Sequence, residues 1–64
     1  METEGHRLAR KIFEAFVECD IPKPHAISST EMALVDVAQF LTAEAWDDAV
    51  AFVREKEKEI SRGR

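Results

Sequence analysis

The sequence predicts an all-α fold of three short helices, at about residues 4–20, 29–41 and 43–61, forming one helical domain over 1–64. Three observations carry that expectation. Apolar residues recur at helical spacing on both sides of a Pro- and Ser-containing stretch, no segment alternates with the period of a strand, and a Thr or Ser stands where each helix needs an N-cap.

In the first segment Leu8, Ile12, Phe16 and Cys19 make an apolar stripe, flanked by Ala9, Phe13 and Val17 on one side and Ala15 on the other. Arg7, Arg10, Lys11, Glu14 and Glu18 fill the remaining arc. Thr3 is placed to cap the start, with Glu4 in the first turn, although Gly5 weakens that end. Pro22 pushes Ile21 out of the α region, so the helix ends near Cys19 or Asp20 and Ile21-Pro22-Lys23-Pro24 reads as an extended connector.

The second segment opens on a capping-box pattern. Ser28 and Glu31 have the S-x-x-E spacing, and Ile27 and Met32 stand where a hydrophobic staple needs them, which starts the helix at Ser29. On this reading Ser28→Ala costs ~1 kcal/mol. Between Met32 and Leu41 the apolar side chains point in almost every direction, interrupted by Asp36 and Gln39, and a helix apolar all round is expected to be buried all round.

Thr42 caps the third segment, with Glu44, Asp47 and Asp48 complementing its positive end. Ala45, Trp46, Ala49, Val50, Val53 and Ile60 share one face, and Phe52 lies at its edge. This stripe is rotated by roughly 100° from that of the second segment if one helix is drawn through both, so a corner at Leu41-Thr42 is favoured over a continuous kinked helix. Glu55-Lys56-Glu57-Lys58-Glu59 is a solvated stretch supported by i,i+3 pairs, and Arg62-Gly63-Arg64 is expected to fray.

Composition limits the function classes. A chain of 64 residues with 45% hydrophobic residues holds one small core. Such a core rarely supplies more than about 3–5 kcal/mol without a disulfide, a metal or a partner. Cys19 is the one cysteine, so it has no partner within the chain. With neither a secretory signal pattern nor an apolar run near ~18 residues, a cytoplasmic protein without membrane contact is expected. The formal net charge of −4 disfavours phosphate backbones and anionic lipid, and the basic residues are interleaved with acidic ones.

No constellation argues for catalysis or a cofactor. Glu44, Asp47 and Asp48 share a helix face, but acidic first turns are the ordinary complement to the helix dipole. His6, Cys19 and His25 have no metal-ligand spacing, and a helix separates His6 from Cys19 by about 20 Å; a buried, inert Cys19 and two surface histidines are expected. Ser28 near His25 is already assigned to capping, and Gly5 and Gly63 form no phosphate loop. The corner before the third helix suggests a helix-turn-helix, yet the residues that would meet DNA are Glu44, Asp47 and Asp48.

The apolar excess remains. Met32 and Val35 lie away from the Leu34, Val37 and Leu41 stripe and stay exposed when that stripe packs inward. The expectation is a non-enzymatic protein–protein interaction module that regulates or inhibits a larger protein, its helical domain completed by homodimerisation. Met32, Val35, Phe40, Trp46 and Phe13 are its candidate partner or dimer interface. The alternative is a nucleic-acid-related regulator, binding DNA through dimer-related basic ends of the first helix or mimicking DNA with an acidic face.

Overall fold

In the computed structural model, which describes residues 2–62, the chain folds into α1 (Glu4–Glu18), α2 (Lys23–Val37), a single 3-10 turn (Ala38–Phe40) and α3 (Ala43–Arg62). The described residues form no strand. Gly5 meets Ala45 and Phe13 meets Phe52 and Lys56, so α1 and α3 pack directly on each other and run the same way, with α2 returning alongside both.

α1 starts where the sequence places it. Thr3 is extended (φ −78°, ψ 165°), and its Oγ1 accepts the His6 N–H at 3.3 Å, which satisfies one of the free donors of the first turn. The other end closes by a left-handed turn. Asp20 has φ 63°, its N–H donates to the Val17 carbonyl at 3.0 Å, and the Ile21 N–H donates to the Phe16 carbonyl at 3.2 Å. This is a Schellman arrangement with aspartate where glycine is usual, and Ile21 and Phe16 both pack on the core beneath it. Cys19 caps the helix and is exposed rather than buried, because the buried face of α1 is Gly5, Ala9 and Phe13, and the stripe it was assigned to, Leu8, Ile12 and Phe16, lies only partly buried beside that face.

α2 corrects the expected start at Ser29. The helix begins six residues earlier, with Pro22 (φ −54°, ψ 142°) at the cap and Pro24 in the first turn. A first-turn proline loses nothing, since its missing N–H would have had no helical partner, and the Pro22 carbonyl accepts the Ala26 N–H at 2.9 Å. Lys23 and Pro24 are therefore helical, not an extended connector. Ser28 sits inside the helix and its hydroxyl donates back to the Pro24 carbonyl at 3.5 Å, so it caps nothing. No staple forms either, because Ile27 is buried while Met32 is 71% exposed. The deciding pattern is Ala26, Ile27, Thr30 and Leu34, one continuous buried face that spans the supposed cap. Thr30 enters that face because its hydroxyl donates to the Ala26 carbonyl at 2.7 Å.

α2 is not buried all round. Leu34 is enclosed, whereas Glu31, Met32, Val35 and Asp36 face outward, because two neighbouring helices cover only one side of a third. The helix ends at Val37, one 3-10 turn follows, and Leu41 is extended (φ −104°, ψ 147°). The chain thus turns a corner before α3, as the rotated stripes require. Thr42 caps α3 by accepting the Ala45 N–H at 3.1 Å. α3 continues through Arg62, where fraying was expected, and the expected fraying of Gly63-Arg64 lies outside the described residues.

The core joins Ala9 and Phe13 of α1, Ala26, Ile27 and Leu34 of α2, and Ala49, Phe52 and Val53 of α3. Each helix contributes one alanine with no exposed surface, which lets the three backbones come close. Phe52, at the edge of α3's apolar stripe, is nonetheless buried: its ring meets Phe13 edge-on at 6.0 Å and His6 at 4.9 Å. Lys56 Nζ covers both phenyl rings, 5.7 Å from Phe13 and 5.4 Å from Phe52.

Candidate interaction surface

Of the five candidate interface residues, three are the large apolar side chains most open to water: Met32 at 71%, Val35 at 63% and Phe40 at 78% exposed. Trp46 is half-buried, and Phe13 is taken up by the core and presents little surface to a partner. The sequence placed Phe13 and Phe16 together in one apolar arc; Phe52 and Lys56 close over Phe13 from α3.

Val35 does not stand alone. It lines a half-open groove of about 230 Å³ between α2 and α3, with Leu34, Trp46, Val50 and Val53 supplying the remaining apolar lining. Glu31, Arg54 and Glu57 supply the charged part of that lining. The groove exists because Leu34 and Val53 pack inward while Val35, one position on along α2, and Val50, three positions back along α3, reach only its wall. Sequence reading found Val35 and Trp46 here but missed Val50, Arg54 and Glu57. The signal for them was available in the i, i+4 spacings Trp46, Val50, Arg54 and Val53, Glu57 along α3.

Phe40 belongs to a second concavity, of about 390 Å³, on the α1 side of the corner. Leu8, Leu41 and Ala45 share it, together with Glu4, Arg7, Lys11 and Thr42. Arg7 and Lys11 are exposed, lie one helical turn apart, and make no ion pair among the described residues. The two concavities adjoin at the first turn of α3, where Ala45 lines one and Trp46 the other, and the groove continues along α3 to Glu57.

The other polar cluster stabilises the start of α1. Both Glu2 carboxylate oxygens accept from Arg10, at 2.7 and 3.0 Å, and Oε2 also meets His6 Nδ1 at 2.6 Å. Arg10 reaches Glu14 as well, at 3.0 Å. The guanidinium hydrogen bonds from Arg10 hold the Glu2 carboxyl well below the usual carboxylate range, at about 2, with His6 adding to the effect. The same contact raises the Arg10 guanidinium further above its ordinary value. His6, expected at the surface, is instead half-buried between Glu2 and the Phe52 ring.

The remaining chemical candidates are not brought together. Among the described residues no three His, Cys, Asp or Glu side chains gather at metal-binding range. The Ser28 hydroxyl is directed at the Pro24 carbonyl. Among the described residues no helix is long and apolar enough to cross a membrane. No protein-family model matches the sequence, and no curated protein or solved structure matches it.

Proposed function

We propose that this chain is a non-enzymatic protein–protein interaction module, regulating or inhibiting its partner and associating with itself as a homodimer. The observation that carries the reading is the exposure of Met32, Val35 and Phe40 beside an apolar groove in a chain of 64 residues. Covering one such side chain is worth about 1.5–3 kcal/mol, comparable to much of what a core this small supplies. Apolar groups flanked by charged ones, Val35 by Glu31 and Arg54 and Phe40 by Arg7 and Lys11, have the layout of an anchor with a polar rim. The nucleic-acid alternative lacks comparable support, because Arg10, one of the basic residues of α1, is engaged by Glu2 and Glu14.

A photo-crosslinker at position 35 tests this reading in cells of the source organism. The proposal expects adducts with one defined protein or with the chain itself. The same group at position 55, on an exposed polar part of α3, is expected to give none. Equal, diffuse labelling at both positions contradicts the proposal.

A further inference from the structure

We infer that the occupant of the groove between α2 and α3 is Phe40 of a second copy of this chain, an inference that rests on the interaction-module reading and names its partner. The two surfaces complement each other in shape. Phe40 is a projecting phenyl ring, 78% exposed, and the groove is apolar with a volume of about 230 Å³. An apolar cavity of about 150 Å³ suffices for a benzene ring.

They also complement each other in charge. Arg7 and Lys11 stand beside Phe40, and Glu31 and Glu57 stand beside the groove. Glu4 on the first surface and Arg54 on the second reduce the excess without reversing its sign, leaving the ring's surround positive and the groove's surround negative. Arg7 and Lys11 have no ion-pair partner among the described residues, and neither do Glu31 and Glu57. All four are exposed, so they are available to another molecule.

The placement of the two surfaces favours a closed pair. They adjoin at the first turn of α3, where Ala45 lines one and Trp46 the other, so a twofold axis beside that turn sets each copy's Phe40 against the Trp46 end of the other's groove. In such a pair every contact occurs twice. Trp46, the one tryptophan of the chain, lines the groove and reports on its filling.

Complementary charge reversal provides the test. Two variants are made, Arg7→Glu with Lys11→Glu in one and Glu31→Lys with Glu57→Lys in the other, and circular dichroism establishes that both are helical. Each alone is expected to dimerise at least about tenfold more weakly than the wild-type chain, because like charges then face each other at both contacts. An equimolar mixture restores dimerisation, since one reversed contact is again of opposite sign and the other is native. Phe40→Ser weakens the wild-type dimer and abolishes the change in Trp46 emission on dilution. A dimer indifferent to Phe40→Ser and to mixing overturns this seat for Phe40 and leaves self-association through another face. A wild-type chain that stays monomeric also overturns it, and the crosslinks formed from position 35 then decide the interaction-module reading separately.

Discussion

Gly5 of α1 lies so close to Ala45 of α3 that a β-carbon on Gly5 would overlap the Ala45 carbonyl oxygen and stand 2.8 Å from its carbonyl carbon. The obstacle is backbone, which has no alternative rotamer to adopt. The glycine that weakens α1 as an isolated helix is therefore what lets α1 approach α3, and with it His6 and Phe13 approach Phe52. Gly5→Ala, favourable by nearly 1 kcal/mol in a free helix, is expected to destabilise this protein by about 1–3 kcal/mol through overpacking. Thermal unfolding followed at 222 nm measures this, and an unchanged or raised midpoint contradicts it.

Asp20 holds a left-handed conformation that glycine adopts without a side-chain penalty. Asp20→Gly is expected to stabilise the protein by roughly 0.5–1 kcal/mol, the relief of strain exceeding the added freedom of the unfolded chain. Asp20→Val is expected to destabilise it. Denaturant midpoints for both variants check the pair, and a destabilising Asp20→Gly argues against the left-handed turn.

Ser28 and Thr42 separate the two cap assignments. Thr42 accepts the Ala45 N–H at 3.1 Å, so Thr42→Ala is expected to cost about 1 kcal/mol. Ser28 lies within α2 and donates weakly to a carbonyl four residues back, so Ser28→Ala is expected to be neutral or slightly stabilising. A loss near 1 kcal/mol for Ser28→Ala would restore a helix beginning at Ser29.

Those two residues also mark what sequence reading reached. α1 and α3 were legible because Thr3 and Thr42 each precede a clean amphipathic stripe, and their side chains cap as expected. The start of α2 was not, because the S-x-x-E spacing of Ser28 and Glu31 also falls naturally within a helix. Two prolines just upstream resembled a break although both fit a helix start. Thr30 hid the buried face, since its polarity on paper is cancelled by the bond to Ala26. The outward placement of Met32 and Val35 followed from their angle to Leu34, whereas burial of Phe13 depended on a ring and an ammonium from α3. Glu2 to Arg10 spans eight residues and begins outside the helix, beyond any i,i+4 rule.

Glu2 makes stability depend on pH at the acid end. Its carboxyl titrates at about 2 in the fold because of the Arg10 hydrogen bonds, below its unfolded value. A depressed folded pKa gives a stabilising contribution that is fully present above the unfolded pKa and lost as pH falls through the folded one. The wild-type chain is thus expected to lose stability between about pH 4.5 and 2 more steeply than Glu2→Gln. Parallel acid titrations of the two proteins measure the difference, and coincident curves contradict the role given to this contact.

The central claim is that the exposed apolar side of α2 is a binding surface, and the mass of the chain in solution tests it most directly. Light scattering at micromolar concentration is expected to give about twice the 7.3 kDa of one chain. Val35→Glu, which places an unpaired carboxylate in the covered patch, is expected to return the mass to that of one chain with helicity unchanged. A wild-type mass of 7.3 kDa, or a Val35→Glu protein still at twice that mass, contradicts the account of this interface.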